Sequence, residues 1–385
     1  MKIAVLGAGM VGRAIALDLA DQYAVTSFDL HTDQLDTLRK RNPAIQTKQA
    51  NLRETANYSD WLAPFDLVVT AVPGMMGYAC LEAVIKSGKN VVDISFFPED
   101  VLQLNELAKQ MDVTVITDCG VAPGMSNLIL GRYNATMKID SFACYVGGLP
   151  LHPRPPFFYK APFSPIDVIQ EYIRPARLLE NGRIVTKPAM TDREMLDFGK
   201  AGQLEAFNTD GLRSLLFTMG HIPELKEKTL RYPGHLDLII ALEQSGFLSE
   251  TPVQINDTLI SPLDLSSQLL LREWKLEPDE EEFTVMKVIL QGDGQTITYD
   301  LYDQYDPATQ TSSMARTTGY TCTAAVNLIT RGLFAEKGVF PPELIGHRID
   351  CFNYVLEYLA ERNVNWKLSV SSQIPPGGYC RINPG

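Results

Sequence analysis

Residues 1–12 read Met-Lys-Ile-Ala-Val-Leu-Gly-Ala-Gly-Met-Val-Gly, and this stretch decides the fold of the first half of the chain. Lys2–Leu6 is an apolar run of the length of a buried strand, and an Ala/Leu-rich helical pattern follows the glycines. Gly7 permits a sharp turn, Gly9 leaves room for a pyrophosphate, and Gly12 lets the helix pack close to the strand. The helix N-terminus then offers free N–H groups to phosphate. The stretch therefore predicts a dinucleotide-binding fold.

A carboxylate follows at the end of the second predicted strand, residues 24–29. Asp29 lies 22 positions after Gly7, close to the roughly 20 expected for an acid that hydrogen-bonds the ribose hydroxyls. Its charge would repel a 2′-phosphate, and residues 30–33 contain no Arg or Lys. We therefore expect NAD as cofactor, with NADP less favoured. A solvated turn aspartate is the alternative, and the basic run at 39–41 could soften the preference.

Length and composition indicate a protein of two domains. The chain has 385 residues, of which 45% are hydrophobic and 21% charged, and its net charge is −12. That charge argues against nucleic acid and anionic membranes as partners, and no apolar run approaches the roughly 18 residues of a membrane span. Met1 leads directly into the first strand, so we expect no signal peptide. The six cysteines form no C-x-x-C pair, so the sequence indicates neither a zinc site nor a disulfide framework. This cysteine usage fits the reducing cytoplasm, where we expect the protein to be located.

Strands and helices continue to alternate up to residue 118, which is typical of an α/β fold with a doubly wound parallel Rossmann sheet. The predicted strands are 66–71, 90–94 and 113–118, and the predicted helices are 77–87 and 99–111. Ligands of such sheets bind beyond the carboxyl ends of the strands. The predicted cofactor contacts are therefore Gly7, Gly9, Met10, Val11, Gly12, Asp29, Val72, Pro73, Gly74, Ser95 and Phe96.

The second half of the chain has a different pattern, and we divide the protein into residues 1–123, 124–310 and 311–385. A strand at 142–148 and a β-hairpin with arms at 283–290 and 295–305 alternate with helical patterns near 165–173, 234–247 and 261–273. Helices at 314–331 and 346–362 could return to the first domain. Residues 369–385 are expected to form a loose tail.

Five stretches of the chain resemble the saccharopine dehydrogenase family, and they extend the resemblance from residue 1 to about residue 345. They are Asp118-Cys-Gly-Val-Ala-Pro-Gly-Met-Ser-Asn127, Tyr145-Val-Gly-Gly-Leu-Pro150, Thr229-Leu-Arg-Tyr-Pro-Gly-His235, Met314-Ala-Arg-Thr-Thr-Gly-Tyr320 and Gly338-Val-Phe-Pro-Pro-Glu343. The resemblance implies a second α+β domain for substrate binding and dimerisation, inserted before the C-terminal helices. It also implies a homo-oligomer with a small amino-acid substrate.

The resemblance leaves two substrates open. Residues 145–150 and the short chain look most like the lysine 6-dehydrogenases, which oxidise the ε-carbon–nitrogen bond of lysine with NAD and release ammonia. Members that form or cleave saccharopine act on the same kind of bond, but their substrate carries a glutamyl arm. Arg213 could bind a second substrate carboxylate. A non-catalytic, NAD-sensing regulatory protein is the alternative of another class, because fold does not establish function.

Amine oxidation by hydride transfer needs a neutral amine, so a group near the nicotinamide must take or hold a proton. Asp118 ends a strand at the cleft and is the first candidate to hold the reacting nitrogen, with a helix N-cap or turn aspartate as the alternative. Tyr159, in a loop that could close on the site, and His235, whose pKa could suit proton transfer, are further catalytic candidates. The alternative for Tyr159 is core packing, and the alternative for His235 is a structural role at the start of a helix.

Arginine is expected at the substrate carboxylate, because its fork matches two oxygens. The predicted substrate contacts are Cys119, Lys160, Arg213 and Arg231, with Arg174 and Arg177 as further options. For each arginine a surface or interdomain salt bridge is the alternative, and Cys119 could simply be a packing residue.

Overall fold

The computed structural model describes residues 1–163, 165–277 and 280–372, with the backbone alone at 165 and 166. The strands are β1 Lys2–Leu6, β2 Ala24–Asp29, β3 Gln46–Gln49, β4 Leu67–Thr70, β5 Asn90–Asp93, β6 Thr114–Ile116, β7 Ser141–Pro150, β8 Ala176–Glu180, β9 Arg183–Lys187, β10 Glu194–Asp197, β11 Gln203–Asn208, β12 Glu224–Arg231, β13 Val253–Ile255, β14 Thr258–Ile260, β15 Glu282–Gly292, β16 Gln295–Gln304, β17 Gly338–Phe340 and β18 Trp366–Ser372. The α-helices are α1 Met10–Leu19, α2 Thr32–Arg41, α3 Tyr58–Leu62, α4 Gly74–Lys86, α5 Asn105–Gln110, α6 Met125–Asn134, α7 Pro165–Ile173, α8 Leu215–Thr218, α9 His235–Gln244, α10 Pro262–Glu273, α11 Ser313–Thr330, α12 Pro342–Gly346 and α13 Ile349–Glu361.

The first sheet is parallel and has the strand order β17-β6-β5-β4-β1-β2-β3. Strand β1, in the interior of this sheet, is buried on both faces. Ile3 and Val5 pack into one apolar cluster, and Ala4 and Leu6 pack into a second one. A strand covered on both sides has no reason to alternate apolar and polar residues, which explains its continuous hydrophobic run.

The second sheet is mixed, in the order β10-β11-β12-β7-β15-β16-β18, with β8 and β9 attached beside β12. β7 and β12 are parallel neighbours at its centre. β15 and β16 form the predicted hairpin, in which Gly292 pairs with Gln295. The two turn residues, Asp293 and Gly294, have φ angles of 47° and 71°, as a turn that matches the right-handed twist of the arms requires.

The helices that follow the second sheet return to the first domain. Asp18 of α1 accepts hydrogen bonds from Thr323 of α11, at 2.5 Å, and from Tyr358 of α13, at 2.7 Å. Its other oxygen accepts from Arg362 Nε at 2.6 Å. One carboxylate therefore joins the first helix of the chain to two helices of the C-terminal segment.

The predicted fold class, a doubly wound parallel sheet with a second α+β domain, is confirmed. The C-terminal segment departs from the prediction in two places. Residues 338–340 form β17 and extend the first sheet, while β18 pairs with β16 of the second sheet. The expected loose tail is therefore wrong for residues 369–372, whose backbone hydrogen bonds to β16 outweigh a serine-rich composition. The remaining residues of that tail, 373–385, lie outside the described part of the chain.

Candidate active site

One cavity of about 790 Å³ extends from the carboxyl ends of the first sheet to the face of the second sheet. Its dinucleotide end is lined by the glycine loop and by the residues that follow β2, β3, β4 and β5. Its other end, which we call the inner chamber, is lined by α7, the centre of β7 and β12, and the loop after β11. The two domains thus contribute to a single site.

The three glycines of the first loop have different surroundings. A Cβ atom at Gly7, where φ is +109°, would lie 2.2 Å from the carbonyl oxygen of Ala71, and one at Gly12 would lie 2.2 Å from that of Gly7. A Cβ atom at Gly9 would have no neighbour within 4 Å. Gly7 and Gly12 are therefore required by packing, whereas Gly9 borders open space in front of α1.

Asp29 holds the glycine loop in place. Its Oδ2 accepts from the Ala8 amide at 2.7 Å, and its Oδ1 accepts from the His31 amide at 2.8 Å. The first N–H groups of α1 have no side-chain cap, so they are available to a pyrophosphate. These groups fit a dinucleotide: the loop and α1 would hold the phosphates, and Asp29 would face the ribose.

Ten of the eleven predicted cofactor residues line the cavity: Gly7, Gly9, Met10, Val11, Gly12, Asp29, Val72, Pro73, Ser95 and Phe96. Gly74 does not line it. Gly74 begins α4 and is packed so closely that a Cβ atom there would lie 2.1 Å from the carbonyl oxygen of Phe96.

Asp118 lines the cavity, but one of its oxygens is already engaged. Arg213 Nε donates to Asp118 Oδ1 at 2.7 Å, and the same guanidinium also donates to the Phe97 carbonyl. Burial raises the pKa of Asp118, and the charge of Arg213 opposes that rise. Asp118 Oδ2 is buried and has no hydrogen-bond partner among the described residues. Arg213 itself lies behind Asp118, outside the cavity lining.

Arg231 lines the inner chamber, and each of its nitrogens has a partner. It donates to Glu171 Oε2 at 2.7 Å, to the Tyr172 hydroxyl at 2.8 Å and to the Leu230 carbonyl at 2.9 Å. Its guanidinium also lies 4.3 Å from the ring centre of Tyr159. Arg231 therefore supports the chamber wall through Glu171.

His235 lies behind the wall rather than in the cavity. A carbonyl can only accept, so Nδ1 donates to the Phe157 carbonyl at 2.8 Å and Nε2 accepts from the Tyr172 hydroxyl at 2.9 Å. Burial, aided by the charge of Arg231, lowers the pKa of His235 to about 3. The imidazole is therefore neutral at physiological pH.

Tyr159, Lys160 and Cys119 also lie outside the cavity lining. The Tyr159 hydroxyl is buried without a described hydrogen-bond partner. Lys160 donates to the Glu273 carbonyl at 2.8 Å. Cys119 is buried, and burial raises the pKa of its thiol, so little thiolate is present at neutral pH.

Apart from Asp118, the acids of the inner chamber were missed in the sequence. Asp167, Gln170, Glu171 and Arg174 stand at helical spacing in and just after α7, and all four line the cavity. Polar residues at positions i, i+3, i+4 and i+7 are the signal that could have revealed this face. The guanidinium of Arg174 lies 5.5 Å from the ring centre of Phe96. It has no hydrogen bond or ion pair with any residue that the structure describes.

β12 supplies a second polar face. Glu227, Thr229 and Arg231 alternate along this strand and line the chamber. Glu227 is only 6% exposed, and no described residue forms a hydrogen bond or an ion pair with its carboxylate. Burial and the nearby charges of Glu171 and Asp210 raise the pKa of Glu227 to about 8. The polar residues of β12 that line the chamber stand at every second position, which is typical of a strand. Residues 224–231 were nevertheless not predicted as a strand.

Residues 1–163, 165–277 and 280–372 contain no cluster of His, Cys, Asp or Glu side chains that could hold a metal ion. The described helices also include none with the length and apolar character to cross a membrane.

Two family models match the chain, and together they span most of it. The model of the saccharopine dehydrogenase C-terminal domain matches residues 120–364, and that of the saccharopine dehydrogenase NADP binding domain matches residues 3–116. The chain belongs to the saccharopine dehydrogenase family. The predicted family resemblance is thereby confirmed.

Curated relatives are about 25% identical to this chain over the segments that align. Mouse mitochondrial alpha-aminoadipic semialdehyde synthase is 25% identical over 266 residues, which are 64% of this chain and 28% of the mouse protein. Saccharopine dehydrogenase [NADP(+), L-glutamate-forming] of Pyricularia oryzae is 25% identical over 264 residues, which are 65% of this chain and 58% of that protein. The chain thus spans less than two thirds of these relatives.

Two solved structures share the fold. Apo saccharopine dehydrogenase (L-Glu forming) of Saccharomyces cerevisiae has a TM-score of 0.77 at 20% identity, covering 96% of this chain and all of that one. The NAD complex of homospermidine synthase from Legionella pneumophila has a TM-score of 0.68 at 12% identity, covering 100% of this chain and 94% of that one.

Proposed function

We propose that this family member is an NAD-dependent oxidoreductase that oxidises the ε-carbon–nitrogen bond of lysine. The observation that carries the proposal is the continuity of the cavity, which joins the dinucleotide end to the acidic inner chamber. The nicotinamide, when bound, accepts the hydride. The protein binds the substrate, orients its carbon and handles its protons.

Charge in the inner chamber favours lysine. The lining carboxylates are Asp118, Asp167, Glu171, Asp210 and Glu227, and the lining arginines are Arg174 and Arg231. Three of these carboxylates are each paired with an arginine: Asp118 with Arg213, Glu171 with Arg231, and Asp210 with Arg177. Arg174 is the lining guanidinium that no described residue pairs, so it would bind one substrate carboxylate. An acidic chamber with one available arginine suits a cation with one carboxylate.

Saccharopine is the second candidate, and the names of the relatives favour it. The similar proteins include saccharopine dehydrogenases of fungi. The glutamyl arm of saccharopine brings two further carboxylates. To bind them, Arg213 would have to release Asp118, and Arg231 would have to release Glu171. Breaking such buried pairs costs several kcal/mol.

The remaining candidate residues have supporting roles in this proposal. Asp118 would lie beside the substrate nitrogen, while Arg231, Tyr159 and His235 would keep the chamber wall in shape. We further propose a cytoplasmic homo-oligomer. The described cysteines are free thiols, which fits a reducing compartment. Exposed apolar side chains on and beside α10, at Leu259, Leu265 and Leu269, would fit self-association.

Initial rates of NAD reduction with lysine and with saccharopine, measured side by side, test the proposed function. Lysine should give the higher kcat/KM, because the chamber holds one available arginine. A higher value with saccharopine would establish the second candidate. Failure to reduce NAD or NADP with either compound would contradict both and favour the nucleotide-sensing alternative.

Cofactor choice gives a separate test. The family model is named for NADP, whereas Asp29 at the ribose edge favours NAD, because a carboxylate repels a 2′-phosphate. We expect wild type to prefer NAD by at least about tenfold in Kd, and Asp29→Ser to lose most of that preference. Fluorescence titration with NADH and NADPH measures both. A wild-type preference for NADPH would show that Arg53, which lines the same rim, outweighs Asp29.

A further inference from the structure

Glu227 differs from the other fully described acids of the inner chamber. Asp118, Glu171 and Asp210 each contact an arginine at 2.7 to 2.9 Å. Glu227 is also buried and lines the same cavity, yet no described side chain or backbone group pairs with it. A buried carboxylate without a partner destabilises the folded state. Such a group is retained where a ligand supplies the missing donor.

The position of Glu227 is fixed by the backbone rather than by a counter-ion. A Cβ atom at Gly211 would lie 1.7 Å from Glu227 Oε1 and 2.1 Å from its Cδ. The carboxylate therefore rests against the loop after β11, in space that only glycine leaves free. β7 and β11 pair with β12 on both sides and hold the strand that carries it. The carboxylate is preorganised before any substrate enters.

We propose that the Glu227 carboxylate is the base that removes a proton from the substrate ammonium, an inference that rests on the proposed C–N oxidation. An N–H bond of the ammonium breaks, and an O–H bond forms on Glu227. The freed nitrogen lone pair then makes the C=N bond as the C–H electron pair leaves as hydride to the nicotinamide. The products are a substrate iminium, a protonated Glu227 and a reduced cofactor.

Asp118, the first sequence candidate, is less suited to this step. Its Oδ1 is held by Arg213 at 2.7 Å, and a neighbouring guanidinium lowers the proton affinity of a carboxylate. Glu227 has no such partner. Asp118 is therefore assigned to holding the nitrogen, and Glu227 to accepting its proton.

The surroundings of Glu227 support a base that works near neutral pH. Burial raises its pKa to about 8, which is close to the optimum for general base catalysis. The charged and titratable groups facing it are Glu171 from α7, Asp210 and Arg213 from the loop after β11, Asp118 from the end of β6, and Cys144 from β7. Because Glu227 must lose its proton to act, kcat/KM should rise with pH up to about 8 and then level off.

Glu227→Gln tests the inference with whichever substrate the wild type oxidises. The variant keeps the size of the side chain but cannot take a proton, so we expect kcat to fall about 100-fold or more. The rise of kcat/KM with pH should disappear, while the Kd for NADH stays unchanged. Glu205→Gln is the matched control: Glu205 is equally buried at 6% exposure, lies on the neighbouring strand β11 and is outside the cavity lining. It should keep the wild-type rate and pH profile.

Stability gives an independent readout. The pKa of Glu227 is raised from 4.5 to about 8 in the folded state, so the folded state binds more protons than the unfolded state between those values. The stabilising effect of the protonated form is complete below about pH 4.5 and is lost as the pH rises through about 8. Glu227→Gln removes this loss, so above pH 8 the variant should melt at a higher temperature than wild type.

The outcomes separate this inference from the proposed function. A wild type that oxidises neither lysine nor saccharopine refutes the proposed function itself. An active wild type whose Glu227→Gln variant keeps its rate and its pH dependence refutes only the role of Glu227. A variant that is inactive because it has lost NADH binding or folded stability also overturns the inference, since Glu227 would then be a structural residue.

Discussion

Gly9→Ala should lose NAD affinity by roughly two orders of magnitude while keeping the wild-type melting temperature. In the structure a Cβ atom at this position meets no protein atom within 4 Å. It would instead project in front of α1, into the space where a pyrophosphate must approach the free N–H groups. Titration with NADH and a thermal melt without cofactor measure the two effects separately.

Gly7→Ala is the contrasting variant. Its added methyl group would lie 2.2 Å from the Ala71 carbonyl, at a φ of +109° that side chains rarely adopt. We therefore expect it to lower both the melting temperature and the affinity for NADH. If Gly9→Ala bound NADH like wild type, the pyrophosphate would have to lie elsewhere, and the assignment of the dinucleotide end would be wrong.

Arg231→Ala should destabilise the protein by about 3–5 kcal/mol, the range found when one partner of a buried ion pair is removed. Arg231 is 2% exposed, and the variant leaves Glu171 without its counter-ion and Tyr172 without a donor. It also removes the guanidinium that lies over the ring of Tyr159. The shift of the urea unfolding midpoint at pH 7 measures the loss.

Arg348→Ala provides the control for an exposed pair. Arg348 contacts Asp350 at 3.0 Å, but the two side chains are 33% and 52% exposed. Exposed pairs are worth less than about 1 kcal/mol, so this variant should unfold almost like wild type. A destabilisation by Arg231→Ala as small as that of Arg348→Ala would mean that Glu171 is not buried against Arg231, and the chamber wall would need another explanation.

The dinucleotide end could be predicted from the sequence because its geometry is local. Gly7, Gly9 and Gly12 turn one strand into the next helix, and the N–H groups and carboxylate that meet there come from adjacent elements. Such contacts leave a pattern of fixed spacing. Gly74 shows the limit of that reasoning, since a loop position alone does not say which residue of the loop faces the ligand.

The inner chamber could not be predicted in the same way, because its chemistry depends on which side chains pair. Asp118 and Arg213 are 95 positions apart, and Glu171 and Arg231 are 60 apart. Composition alone makes Arg174, Arg213 and Arg231 equivalent, and only their partners distinguish them. The alternating charges of β12 look like a solvated surface strand, yet Glu227 faces an internal cavity.

The C-terminal segment adds a strand to each of the two sheets, and this affects how the protein can fold during synthesis. β17 completes the edge of the first sheet, β18 completes the edge of the second, and Arg362 reaches Asp18 across 344 positions of sequence. On the ribosome, the first sheet lacks its last strand until residue 340 has emerged, and the second sheet lacks its last strand until residue 372 has emerged. Contacts of such long range are slow to form and leave apolar surface exposed meanwhile. The first sheet therefore stays incomplete during synthesis until β17 arrives, a strand encoded more than 200 residues after β6.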